Sequence, residues 1–125
     1  MNGNKLLDTN IIIYLSKKML LLEEVATPDS QLFVSVITYM EALGYIFNDK
    51  DEEKFITDFF KTVFVIQLDE RIIEDVIKTR KKKKIKLPDA IIYSTAKITN
   101  LALVTENDAD FKGLNGGVKI INPIK

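Results

Sequence analysis

An α/β layered fold, with a central, mainly parallel sheet of about four to five strands flanked by helices, is what the sequence predicts. Three observations carry that prediction. Short apolar runs of strand length alternate with longer segments whose apolar residues recur at helical spacing. The alternation continues along the whole chain, as parallel strands require, because each return crossing needs a connecting element such as a helix. With 46% apolar and 29% charged residues over 125 positions, there is enough apolar surface for one core, and residues 1–125 read as a single domain.

The elements follow in order. Lys5 to Asp8 reads as a short buried strand, and Asn10 to Leu22 as a helix with apolar residues at nearly every position. Pro28, Asp29 and Ser30 mark a loop before a second strand, Leu32 to Val34. Val36 to Phe47 is helical, with Ser35 available as its cap. After Asn48 to Asp51, a third helix carries Phe55, Ile56, Phe59, Phe60 and Val63 along one stripe. Phe64 to Ile66 is a third strand, and Asp69 caps a helix whose apolar face is Ile72, Ile73, Val76 and Ile77. Leu87, Pro88 and Asp89 start the next helix, which runs to about Thr99. Leu101 to Val104 is a fourth strand, Asp108 to Phe111 a short turn or helix, and Val118 to Ile121 a last strand before Pro123. In such sheets ligands gather beyond the C-terminal ends of the strands.

Composition removes several chemistries. With no Cys and no His there is no disulfide framework, no thiolate or imidazole zinc site, no Cys nucleophile and no Ser-His-Asp triad. A metal must be held by oxygen. The longest apolar runs fall far short of the roughly 20 residues a membrane span needs, and the N-terminus lacks a signal-peptide pattern, so a cytoplasmic protein without membrane contact is expected.

The formal net charge of zero hides an asymmetry. Lys78, Arg80, Lys81, Lys82, Lys83, Lys84 and Lys86 place seven of the eighteen bases in nine positions, leaving eleven against eighteen acids elsewhere. Such a block is either a solvated helix end, complementing the helix dipole, or an electrostatic footprint for phosphate.

Isolated acids are the more informative feature. Asp8 is the only charge between Leu6 and Leu15, and Glu41 the only charge between Val36 and Phe47. Asp89 stands in the first turn of a largely apolar helix, and Asp110 follows the fourth strand. Each has an ordinary structural role open to it: Asp8 a helix cap, Glu41 an exposed position, Asp89 a partner for the helix dipole, Asp110 a turn acid. An uncompensated buried carboxylate costs several kcal/mol, however, and a shared divalent cation would compensate several together.

Four stretches carry a resemblance. Leu7-Asp8-Thr9-Asn10, Ser35-Val-Ile-Thr38-Tyr-Met-Glu41, Leu87-Pro88-Asp89-Ala90-Ile-Ile92 and Leu103-Val-Thr105-Glu-Asn107-Asp-Ala-Asp110-Phe111 occur in the order and spacing of the PIN-domain ribonucleases. The chain resembles, over essentially its whole length, the small VapC-type toxins of toxin–antitoxin pairs. The resemblance implies a PIN-like three-layer fold and a metal site formed by Asp8, Glu41, Asp89 and Asp110, which are also the catalytic group. Thr9, Asn10, Ser35, Thr38, Thr105 and Asn107 would give polar support. It also implies an antitoxin partner and a homodimer. Asp108 is an ambiguity, since it could contribute or substitute for Asp110.

An all-oxygen set of carboxylates suits Mg²⁺ or Mn²⁺. The resemblance implies, as the activity of such a site, metal-dependent endonucleolytic hydrolysis of RNA phosphodiester bonds, inhibiting translation. Arg80, Lys82, Lys83, Lys84 and Lys86 are candidates to hold the RNA backbone against the repulsion of the acids. The alternatives are a catalytically silent PIN-like module that binds RNA or protein, and a Mg²⁺ phosphoryl-transfer enzyme of another α/β fold. The second has less support, because Asn10 stands where such an enzyme would carry another acid and no Gly-rich loop follows Asp8.

Overall fold

A computed structural model describes residues 3–124. Five strands, β1 (Lys5–Leu7), β2 (Leu32–Ser35), β3 (Phe64–Ile66), β4 (Ala102–Val104) and β5 (Ile120–Ile121), form one sheet in the order β3-β2-β1-β4-β5. Every pairing is parallel. The helices are α1 (Thr9–Ser16), α2 (Val36–Leu43), α3 (Lys50–Phe59), α4 (Glu70–Lys82) and α5 (Leu87–Thr99). None of the helices among the described residues is long and apolar enough to cross a membrane.

The alternation of side chains along a strand divides the core. Leu7, Val34 and Val104 face a layer built from α1 and α3, with Ile11, Ile12, Leu15, Ile56 and Phe59 among its buried residues. Leu6 and Leu103 face the opposite way and pack on Ile92, Tyr93 and Ala96 of α5. Against α5 lies α4, through Ile72, Val76, Ala90 and Ile91. The result is three layers, as expected. Only half of the α4 stripe is core: Ile72 and Val76 are buried, whereas Ile73 and Ile77 are exposed.

Three helices are shorter than their apolar pattern predicts; α3 ends at Phe59, with Phe60 as its C-cap and Val63 beyond it. The first stops at Ser16, not Leu22, because Lys18 adopts a left-handed φ of 60° while Met19 N–H reaches the Tyr14 carbonyl at 2.9 Å and Lys18 N–H the Leu15 carbonyl at 3.2 Å. This terminating turn, normally made by Gly, buries Leu20 and leaves Met19, Leu21 and Leu22 outside. The second stops at Leu43, with Gly44 as its C-cap, not at Phe47. The last strand is likewise reduced to Ile120 and Ile121.

The side on which successive strands are added reverses around β1. The first crossing leads from β1 to β2 on one side, and the third leads from β3 back over the sheet to β4 on the other. Such a switch point leaves a crevice beyond the strand ends. Asp8, Ser35 and Thr105 immediately follow or end the three central strands there.

Candidate active site

Asp8 is 7% exposed and stands at the switch point, between the end of β1 and the start of α1. Its backbone N–H bonds to the Val104 carbonyl at 2.9 Å, continuing the β1–β4 ladder. Its carboxylate accepts from Thr9 N–H on Oδ1 and from the Thr105 hydroxyl on Oδ2, each at 2.7 Å. The capping role and a place in the crevice therefore coexist. Burial pushes the Asp8 carboxyl up from 3.8 to about 6, the two hydrogen bonds oppose the shift, and the negative charges of Asp89 and Glu106 add to it.

Glu41 reaches the same crevice from α2. The Thr9 hydroxyl donates to its Oε1 at 2.7 Å and lies 3.0 Å from the buried Thr38 hydroxyl. Ser35 acts one step further back, capping α2 through a 3.1 Å bond from Ile37 N–H and so fixing the helix that carries Thr38 and Glu41. Asp89 enters from the first turn of α5, where Pro88 supplies the preset φ of a helix start. Partial burial raises the Asp89 carboxyl, with Asp110 and Glu41 adding repulsion and Lys86 opposing them. Asp8, Glu41 and Asp89, from three separate segments, line one cleft of about 280 Å³ together with Thr9, Asn10, Ile13, Tyr45 and Asn107.

Asp110 lies on the other side of Asp89. Both line a second cleft, of about 550 Å³, whose remaining walls are Arg80, Lys83, Lys84, Ile85, Lys86 and Ala109. The two clefts share Asp89, so an acidic and a basic depression meet at one carboxylate. Lys82, the last residue of α4, lines neither. Two of the basic side chains are tied to the backbone, Arg80 through the Ile85 carbonyl and Lys83 through the Lys112 carbonyl. Lys84 and Lys86 make no side-chain hydrogen bond among the described residues.

The donor set suits a hard cation. Asp8 and Asp89 are both raised by burial and by neighbouring acids, a strain that a positive ion would relieve. Among the described residues no three acidic side chains form a complete cage.

Three residues enter that sequence reasoning did not single out. Glu106 is half-buried, accepts from Asn10 Nδ2 at 3.0 Å and faces Asp8 electrostatically. Asn122, after β5, donates to the Glu106 carbonyl at 3.3 Å and to Asp108 Oδ1 at 3.2 Å. Tyr45 forms part of the acidic cleft wall. The position of Glu106 beside Thr105 was a signal for the first, whereas nothing in sequence connects Asn122 with residues fourteen and sixteen positions earlier.

With this geometry in view, the family model described as PIN domain matches residues 5–116. The chain belongs to the PIN-domain family. No match is found among curated proteins. Among solved structures, this PIN domain is 34% identical to a chain in a toxin–antitoxin complex from Klebsiella pneumoniae, with a TM-score of 0.72 and coverage of 95% of this chain and 97% of that one. It is 28% identical to a chain in VapBC-1 from nontypeable Haemophilus influenzae, with a TM-score of 0.76 and coverage of 98% and 99%. A chain in VapBC2 from Rickettsia felis, bound to a promoter DNA fragment, shares the fold at a TM-score of 0.78 and 21% identity, with coverage of 95% and 98%.

The PIN domain also separates Asp108 from Asp110. Asp110 Oδ2 accepts from Asn107 Nδ2 at 2.5 Å, and Asn107 N–H bonds to the Thr105 hydroxyl at 3.0 Å, which links Asp110 back to Asp8. Asp108 is turned to Asn122 instead and lines neither cleft.

Proposed function

We propose that this PIN domain is a VapC-like toxin that cuts RNA internally, using Mg²⁺ or Mn²⁺ held by Asp8, Glu41 and Asp89, with Asp110 as the fourth acid. The observation that carries the reading is the meeting of the acidic and basic clefts at Asp89. A phosphodiester lying across that carboxylate has cations behind it and a cation-binding group in front. Once bound, the divalent ion supplies Lewis acidity and charge for the leaving oxygen. The protein's part is positional. Thr105 and Thr9 N–H fix both Asp8 oxygens, leaving each a lone pair for the cleft, and the Thr9 hydroxyl orients Glu41. Lys84 and Lys86 attract the RNA backbone, and Arg80 and Lys83 add positive charge to the same wall.

The reading includes an antitoxin partner, a homodimer and a cytoplasmic setting. The similar chains come from toxin–antitoxin complexes, and exposed Met19, Leu21, Leu22, Met40, Leu43 and Ile46 offer apolar surface for an antitoxin. Exposed Ile73, Ile77 and Leu87 offer a second face, for self-association. The incomplete acid cage favours the other reading, a PIN module that binds RNA without cutting. Incubating purified protein with RNA and Mg²⁺ and sequencing the new ends decides between them. The wild type should cleave, and Asp8→Asn and Asp89→Asn should each lose on the order of 10²-fold or more. Undiminished cleavage by both variants overturns the site, and uncut RNA with the wild type overturns the enzyme.

A further inference from the structure

Asp89 divides a basic wall from an acidic one, which constrains how a nucleotide chain crosses it. On the basic side, Lys84 and Lys86 favour phosphate. On the other, Asp8 and Glu41 repel a further phosphate, while their carboxylates and the apolar Ile13 tolerate a base. Tyr45 is the only aromatic residue lining either cleft among the described residues.

Local structure holds Tyr45 in place. The turn after α2 brings Gly44 so close to the Met40 carbonyl that a Cβ would stand 2.8 Å from its oxygen, and Tyr45 follows at once, four residues after Glu41. Phe47 packs on the Tyr45 ring with centroids 4.7 Å apart, and Lys17 Nζ, anchored to Glu52 at 3.0 Å, lies 5.7 Å from the ring centre. The residue remains 43% exposed, and its hydroxyl has no protein hydrogen bond among the described residues. An exposed ring held before its ligand arrives loses little freedom on binding.

We propose that Tyr45 is the wall of a nucleobase subsite, on which the nucleotide beyond the cleaved phosphate seats its base by ring contact. The proposal rests on the ribonuclease reading above, and it assigns base contact to one side of Asp89 and backbone contact to the other. Ring contact tolerates any base, so the subsite positions the substrate more than it reads sequence.

The test uses the full chain carrying Asp8→Asn, in EDTA, so that binding is measured without cleavage. Two fluorescent oligoribonucleotides of equal length serve as probes, one with bases throughout and one with a run of abasic ribose phosphates. Tyr45→Ala should weaken binding of the first about ten-fold, the size of one lost base–aromatic contact, and leave the second within two-fold. Tyr45→Phe should bind both as the parent does, which separates ring contact from hydroxyl bonding. Equal loss on both probes, or no loss on either, overturns the subsite while leaving the ribonuclease reading intact. Failure of the parent to bind either probe, in EDTA and equally with Mg²⁺ present, overturns both.

Discussion

Replacing Asp8 by Asn should make the metal-free protein more stable. Asp8 is 7% exposed and its carboxyl is raised from 3.8 to about 6, chiefly by burial. The folded protein therefore binds this proton more tightly than the unfolded chain, and the stability associated with it is full below about pH 4 and lost as pH rises through 6. At about 1.36 kcal/mol per pH unit, the loss at pH 8 is about 3 kcal/mol. Asn carries no charge at any pH but has one acceptor oxygen where Asp8 has two, so one of the bonds from Thr9 N–H and the Thr105 hydroxyl is lost, at about 1 kcal/mol. The variant should gain about 2 kcal/mol at pH 8, or about 8 °C for a domain of this length. Thermal and urea denaturation in EDTA at pH 8 and pH 4 measure it, relief of the Asp8–Asp89 repulsion being part of the gain. At pH 4 the gain should turn into a deficit of up to about 1 kcal/mol, because only the lost hydrogen bond remains. Mg²⁺ at about 100 times its dissociation constant should reverse the order at pH 8, by stabilising the wild type about 2.7 kcal/mol. A variant less stable than wild type at pH 8 without metal, or a gap equal at both pH values, refutes the reasoning.

Two further outcomes follow from the same geometry. Thr105→Val removes a donor that lowers the Asp8 carboxyl and an acceptor for Asn107 N–H. The acid limb of a cleavage pH profile should move to higher pH, with a loss of about 1–3 kcal/mol in denaturant stability; an unmoved limb removes Thr105 from the site. Lys84→Gln with Lys86→Gln should flatten the salt dependence of RNA binding, read by fluorescence anisotropy, by about 1.4 in slope. Lys82→Gln should leave it unchanged, and an equal effect there would return the lysine block to a diffuse field.

Much of the architecture is written in local signals. Helix α5 matches its expected limits because Pro88 opens it and Asn100, in a left-handed conformation at φ 58°, closes it. The overlong α1 was invisible locally: Lys18 carries no preference for the conformation that ends the helix, and the turn is favoured by burying Leu20, a tertiary gain. At the site, Asp8, Glu41 and Asp89 were legible as lone charges in apolar segments. Asp110 and Asp108 were not separable, because the distinction lies in which asparagine each meets, Asn107 or Asn122. The lysines were visible as a run, but their division depends on α4 ending at Lys82 and the chain then bending back over Asp89.

The bond between Thr105 and Asp8 spans 97 positions of chain. During synthesis the first strand emerges early and waits for the fourth, at 5–20 residues per second, for about 5–20 s. Through that interval Asp8 has neither its hydroxyl partner nor β4 beside it. The crevice closes only once β4 and Thr105 have been made, so the pocket around Asp8 is among the later parts of the sheet to form.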